Sequence, residues 1–256
     1  MRRIPDTLRE RLAALGDPCA GTLGIPGITG IGDAQHDLAL GVVHEWMSVE
    51  EPPPLAHDGW IAPHGALVAL AWRVVLSPHW SMVAERRVAW VGRRVWPSPR
   101  SMIDEHGSRA LLAASLFIDP APTERVSGEP IRTERSNRLW AAEQALACDG
   151  ICAVIFDADG FDMVASRRTQ LASVRARDRP AVLAIAVRPW SQRAELTAAV
   201  SRWAIRPVPS DASAPSWSAE LMRGRSVAGF AQVGQRMLLR ASWSWCGGES
   251  PRVRSA

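Results

Sequence analysis

The apolar positions of this chain cluster into short runs, separated by segments in which they recur at helical spacing. The runs that read as strands are Gly41-Val-Val-His-Glu-Trp46, Arg87-Val-Ala-Trp-Val91, Ser115-Leu-Phe-Ile118, Ile151-Cys-Ala-Val-Ile-Phe156 and the stretch from Ala181 to Val187. Between them the spacing predicts helices from about His64 to Val75, over Glu134 to Ala147, and from Phe161 to Arg175. A sheet with one wet face would alternate apolar and polar residues, whereas strands that are apolar throughout are covered on both faces. The pattern therefore predicts an α/β fold with a mostly parallel sheet flanked by helices. Past residue 200, Arg202-Trp-Ala-Ile-Arg-Pro207, Ser216 to Met222 and Gln235 to Arg240 alternate more and are separated by turn signals. They are expected to be antiparallel strands extending the sheet.

At the start of the chain, Leu8, Leu12 and Leu15 between Asp6 and Gly16 mark a short amphipathic helix, and the segment to Gly41 is rich in glycine and turns. This divides the chain into a helix and linker over residues 1–30, a main domain over 31–245, and a disordered tail over 246–256. The opening residues lack the continuous apolar core of a secretion signal. The most apolar stretch, Trp60 to Leu76, is too short for a bilayer and is interrupted by Pro63, His64 and Arg73. The expectation is a cytoplasmic protein without membrane contact.

Composition sharpens what chemistry is open to such a fold. Every one of the 30 basic side chains is arginine, since the sequence contains no lysine. Genomic base bias can replace lysine by arginine, but whatever the cause, Schiff bases, lysine general bases and the phosphate-clamping lysine of a P-loop are excluded. A net charge of +4 permits contact with nucleic acid or an acidic partner without requiring either. Tyrosine is absent and tryptophan numbers 12; Trp46, Trp90 and Trp203 lie within expected strands, where they fill core more readily than they stack on bases. Cys19, Cys148, Cys152 and Cys246 lack zinc-ligand spacing, and His44, His57, His64, His79 and His106 form no compact pair. No metal and no cofactor is expected.

Parallel sheets bind ligands beyond the carboxyl ends of their strands, so the residues just after each run matter most. After the first, a nucleotide-binding protein would carry a glycine-rich loop ending in Gly-Lys-Ser/Thr. Here Met47 to Gly59 carries Glu50 and Glu51, and Pro52, Pro53 and Pro54 remove backbone amides. After the second run stand Arg93 and Arg94, with Trp96 close behind; two guanidiniums there could grip phosphate or a partner's carboxylates, or simply face solvent. Asp157 ends the run Ile151 to Phe156 in the manner of a Walker B aspartate, although a buried strand ended by a turn aspartate is common, and the turn and helix-capping chemistry of Asp157-Ala-Asp-Gly160 is the commoner reading. Arg167 and Arg168 follow on a helix as further candidate partner or DNA contacts, with Arg168 near the buried stripe, where snorkelling or ion pairing would hold it.

The ordered set of segments resembles the ImuA group of RecA-like proteins, which is similar to the SulA cell-division inhibitors. The resemblance rests on Gly41 to Trp46, on Arg138-Leu-Trp-Ala-Ala-Glu-Gln-Ala-Leu146 leading into Ala153-Val-Ile-Phe-Asp157, and on Ala165-Ser-Arg-Arg-Thr-Gln-Leu-Ala172. It extends to Ser201 through Ser210 and to Trp217-Ser-Ala-Glu-Leu-Met-Arg223. It implies a RecA-like sheet in which Val42 to Trp46 precedes the phosphate loop and Asp157 holds a vestigial Walker B position. The place of a recombinase's catalytic glutamate falls at Arg93 or Arg94. Loop, lysine and glutamate being absent, the resemblance implies a pseudo-ATPase. Its expected role is that of an adaptor in DNA-damage-induced (SOS) translesion synthesis that binds the recombinase filament, an error-prone polymerase or its accessory proteins, with weak DNA binding. Two alternatives stay open: a SulA-like inhibitor that binds the division tubulin, and an ATPase with an atypical phosphate loop.

Overall fold

The computed structural model describes residues 22–23, 38–49, 60–76, 83, 85–104, 107–120, 133–174, 181–209, 215–224, 234 and 236–240. In chain order its elements are β1 (Thr22–Leu23), β2 (Leu38–Ala39), β3 (Val43–Ser48), α1 (His64–Leu76), β4 (Arg87–Val91), α2 (Ala110–Ala114) and β5 (Ser115–Ile118). There follow α3 (Glu134–Ala147), β6 (Ile151–Asp157), α4 (Met163–Ser173), β7 (Leu183–Arg188), β8 (Ser201–Val208), β9 (Ser216–Gly224) and β10 (Arg236–Arg240). Strands β1 and β2 pair with each other, and the other strands form one sheet in the order β10-β9-β8-β3-β7-β6-β4-β5. From β8 across to β5 every neighbouring pair is parallel. The strands β9 and β10 add antiparallel at the far edge.

Both faces of the central strands are covered, which is why β6 and β7 read as apolar runs up to their last residue, and why β3 is buried throughout although it carries His44 and Glu45. Alternate residues serve opposite layers. Trp46, Trp90, Ile155, Ile185 and Trp203 pack beneath Leu67, Leu70, Ala71 and Val74 of α1. Val43, Val91, Val154, Phe156 and Ala184 form the other core, with Leu139, Ala142, Leu146 and Ala165 of α3 and α4. The three strand tryptophans are core residues, each at most 4% exposed. Where α1 crosses β9 the approach is close: a Cβ on Gly65 would lie 2.4 Å from Cζ2 of Trp217. The two outer helices begin at side-chain caps, the Thr133 side chain accepting from the Ser136 amide and that of Asp162 from the Ala165 amide.

Two strands depart from expectation: β5, an apolar run expected to be covered on both faces, lies at the edge of the sheet with Leu116 and Phe117 exposed, and β8 differs in direction. Strand β8 was expected to be antiparallel, yet it runs parallel to β3, from His44 opposite Ser201 to Ser48 opposite Ile205, and antiparallel geometry begins only at β9. The apparent alternation in its sequence came from Arg202, which faces not solvent but a buried carboxylate. The five-residue α2 and the two-residue β1 and β2 carry too few positions to show a period. The expected N-terminal helix, most of the proline-rich segment after β3 and the tail over 246–256 lie outside the described residues. Among the described residues no helix is long and apolar enough to cross a membrane.

Candidate functional site

The carboxyl edge of the parallel strands is where the fold gathers its charged groups. Strand β6 delivers Asp157 there, 3% exposed at its side chain, and Arg138 of α3 donates from Nη1 to Oδ2 of that carboxylate. The other Nη of Arg138 reaches the Asp159 carbonyl oxygen at 3.0 Å, while the Asp159 amide donates to Oδ1 of Asp157 at 2.9 Å. Both carboxylate oxygens therefore have donors from within the chain. Burial pushes the Asp157 carboxyl above its ordinary value, opposed by the charge of Arg138 and by the Asp159 amide. Gly92, at φ 91°, closes the turn after β4 against this residue: a Cβ there would lie 2.9 Å from the Cβ of Asp157.

The lattice continues on either side. Arg94, in the short 3₁₀ turn Arg93–Val95, pairs with Asp159 at 2.8 Å, and its guanidinium lies 5.6 Å from the centre of the Trp60 ring. Its carbonyl bonds Nε2 of His64 at 2.8 Å, which ties the first residue of α1 to the end of β4. Burial lowers the pKa of His64, opposed by that bond. Gln192 joins the two halves of the edge, donating to Asp159 at 2.7 Å and accepting from Nη2 of Arg188 at 2.9 Å.

Arg188, the last residue of β7, is completely buried. It donates to Oε1 of Glu45 at 3.0 Å, to the Phe161 carbonyl at 2.9 Å and to Glu195. Arg202 of β8 takes the second oxygen of Glu45 at 2.7 Å and the carbonyl of Glu195 at 2.9 Å. Glu45 thus lies between two arginines from the strands flanking its own, and with Glu195 the formal charges of the group sum to zero. A buried charge is tolerated only when paired and hydrogen-bonded in this way.

The structure places the residues singled out in the sequence as follows. Arg93 and Arg94 stand at the carboxyl edge, bound respectively to Asp119 at 2.6 Å and to Asp159. The Asp119 carboxylate holds the Arg93 guanidinium above its ordinary pKa. Trp96 is half-buried beside them, donating from Nε1 to the Trp90 carbonyl at 3.1 Å and meeting the Phe117 ring edge-on. Arg167 and Arg168 lie instead on the outer surface of α4, where Arg168 forks onto Glu143 of α3 at 2.7 and 2.6 Å. The four arginines therefore form two separate pairs. Sequence reasoning passed over Glu45, Arg138, Asp159, Arg188, Gln192 and Arg202. Their one legible signal was a charge inside or ending an apolar run, at Glu45 and Arg188.

Chemically, this edge is a set of mutually neutralised ions. Among the described residues no cluster of three or more His, Cys, Asp or Glu side chains has the geometry to hold a metal ion. Cys148 is exposed and Cys152 buried, both as free thiols. No protein-family model matches the chain, and no curated protein matches it.

Proposed function

We propose that the chain is a catalytically inactive RecA-like adaptor in DNA-damage-induced translesion synthesis, and that it works by binding other proteins. One observation carries this reading: the Asp157 carboxylate, at the strand end where phosphoryl transfer would need it for a metal ion, is engaged by Arg138 and the Asp159 amide. The absence of lysine points the same way, because no P-loop cation is available to the phosphates. A sheet in which β3 and β6 end on one edge with only β7 between them supports the RecA-like assignment drawn from the sequence.

A protein partner is favoured over DNA as the main contact. Arg93, Arg94 and Arg168 each face a carboxylate, which leaves Arg167 as the one of these four candidate arginines without a carboxylate among the described residues, and phosphate binding draws its strength from several uncompensated cations. The test is a gene deletion followed by measurement of damage-induced mutation frequency, which is expected to fall and to recover on complementation. An unchanged frequency would overturn the proposal, and if overexpression then caused filamentation, the chain would instead belong with the inhibitors of division.

A further inference from the structure

The outer surface of α3 and α4 bears apolar side chains that its own fold does not bury. Trp140 is 51% exposed, Val164 68% and Leu171 50%, although the inner faces of both helices are already packed through Leu139, Ala142, Leu146 and Ala165. The two helices are joined at matching heights. Near their starts Arg135 pairs with Asp162 at 2.5 Å, and further along Arg168 forks onto Glu143. These links set Trp140 of α3 level with the Val164 to Arg168 turn of α4.

Charge indicates what would cover it. Val164, Arg167, Arg168 and Leu171 recur at i, i+3, i+4 and i+7 along α4, and this helix contains no acidic residue. Arg168 is answered by Glu143, but exposed Arg167, between Val164 and Leu171, has no hydrogen bond or ion pair among the described residues. An exposed tryptophan with aliphatic neighbours and an unanswered arginine matches the composition of the centre of a protein interface rather than that of ordinary surface.

We infer that the α3–α4 face is a docking site for an acidic amphipathic helix of a partner protein, its apolar stripe seated on Trp140, Val164 and Leu171 and its carboxylates on Arg167. The inference deepens the adaptor reading and rests on it only for the identity of the partner. The test uses the full chain and two synthetic helical peptides, one built from leucine and glutamate and its counterpart from leucine and lysine, with binding read by fluorescence anisotropy. The Leu/Glu peptide binds and weakens with added salt, the Leu/Lys peptide does not, and Trp140→Ala or Arg167→Glu each lowers the affinity by about thirtyfold with the melting temperature checked in parallel. Arg167→Glu lies on the surface, so it keeps the test decisive even if Trp140→Ala fails to fold.

The inference is overturned if both peptides bind alike, if neither binds, or if neither substitution changes the affinity. It is equally overturned if the protein sediments as a dimer that Trp140→Ala dissociates, which would make a second copy the occupant. Binding that appears only after removal of residues 1–30 would assign the face to the chain's own N-terminal segment and overturn it too. The two proposals fail separately. Peptide binding as described with unchanged damage-induced mutagenesis on deletion leaves the surface standing without the SOS role. Reduced mutagenesis on deletion with no effect of either substitution on peptide binding leaves the role without this surface.

Discussion

Arg138 and Asp157 form the ion pair on which the carboxyl edge turns, and its energetics follow from burial. Their side chains are 10% and 3% exposed, so neither charge has water to fall back on. Removing one partner of such a pair leaves the other stranded, and Arg138→Met should cost about 3–5 kcal/mol in chemical denaturation. Adding Asp157→Asn should restore part of the loss, because the second change removes the stranded charge; two strictly additive losses would mean that the contact carries no coupling. Asp157, Arg93 and Arg94 were legible as occupants of strand ends. What binds them was not, since Arg94 and Asp159 stand 65 positions apart, and Glu45 and Arg188 stand 143 apart. No local pattern relates residues at that separation; only the folded sheet brings them together.

Elements were more legible than pairings, because a strand or helix writes its period into a handful of adjacent residues. Arg87–Val91, Ser115–Ile118 and Glu134–Ala147 end where the apolar pattern predicted. The error over β8 had a specific cause: an arginine is normally read as facing solvent, and Arg202 turns inward to Glu45. Helix α1 makes two predictions of its own. Gly→Ala within a helix ordinarily adds up to about 1 kcal/mol and less in the first turn, where Gly65 stands, and there the new methyl would meet the Trp217 ring at 2.4 Å. Overpacking prevails at that distance, so Gly65→Ala should lower stability by a net of about 1–2 kcal/mol, read from the shift of the urea midpoint. The other concerns His64, whose pKa in the folded protein lies below its unfolded value. Its contribution is complete above about pH 6.5, and it is lost as the pH falls towards the lower folded value, because the unfolded chain takes up the proton first. Thermal melts between pH 7.5 and 5 should show that loss in the wild type and less of it in His64→Gln.

For the whole molecule, the sheet order assembles a recognisable ligand edge and then closes it with the chain's own ions. The order itself was not legible in the sequence: continuous apolar runs announce a parallel sheet, but nothing in them says that β3 lies between β7 and β8. That placement brings Glu45 against both Arg188 and Arg202, and it sets Asp157 two strands from the segment where a phosphate loop would begin. Among the described residues, the carboxylates of this edge are each engaged by the chain's own arginines, and the proposed adaptor reading rests on that closure. The most direct measurement is calorimetric titration of the intact protein with ATP and magnesium at high protein concentration. No saturable heat and no change in melting temperature are expected; saturable, magnesium-dependent binding would show that the edge still holds a nucleotide and would overturn the pseudo-ATPase reading.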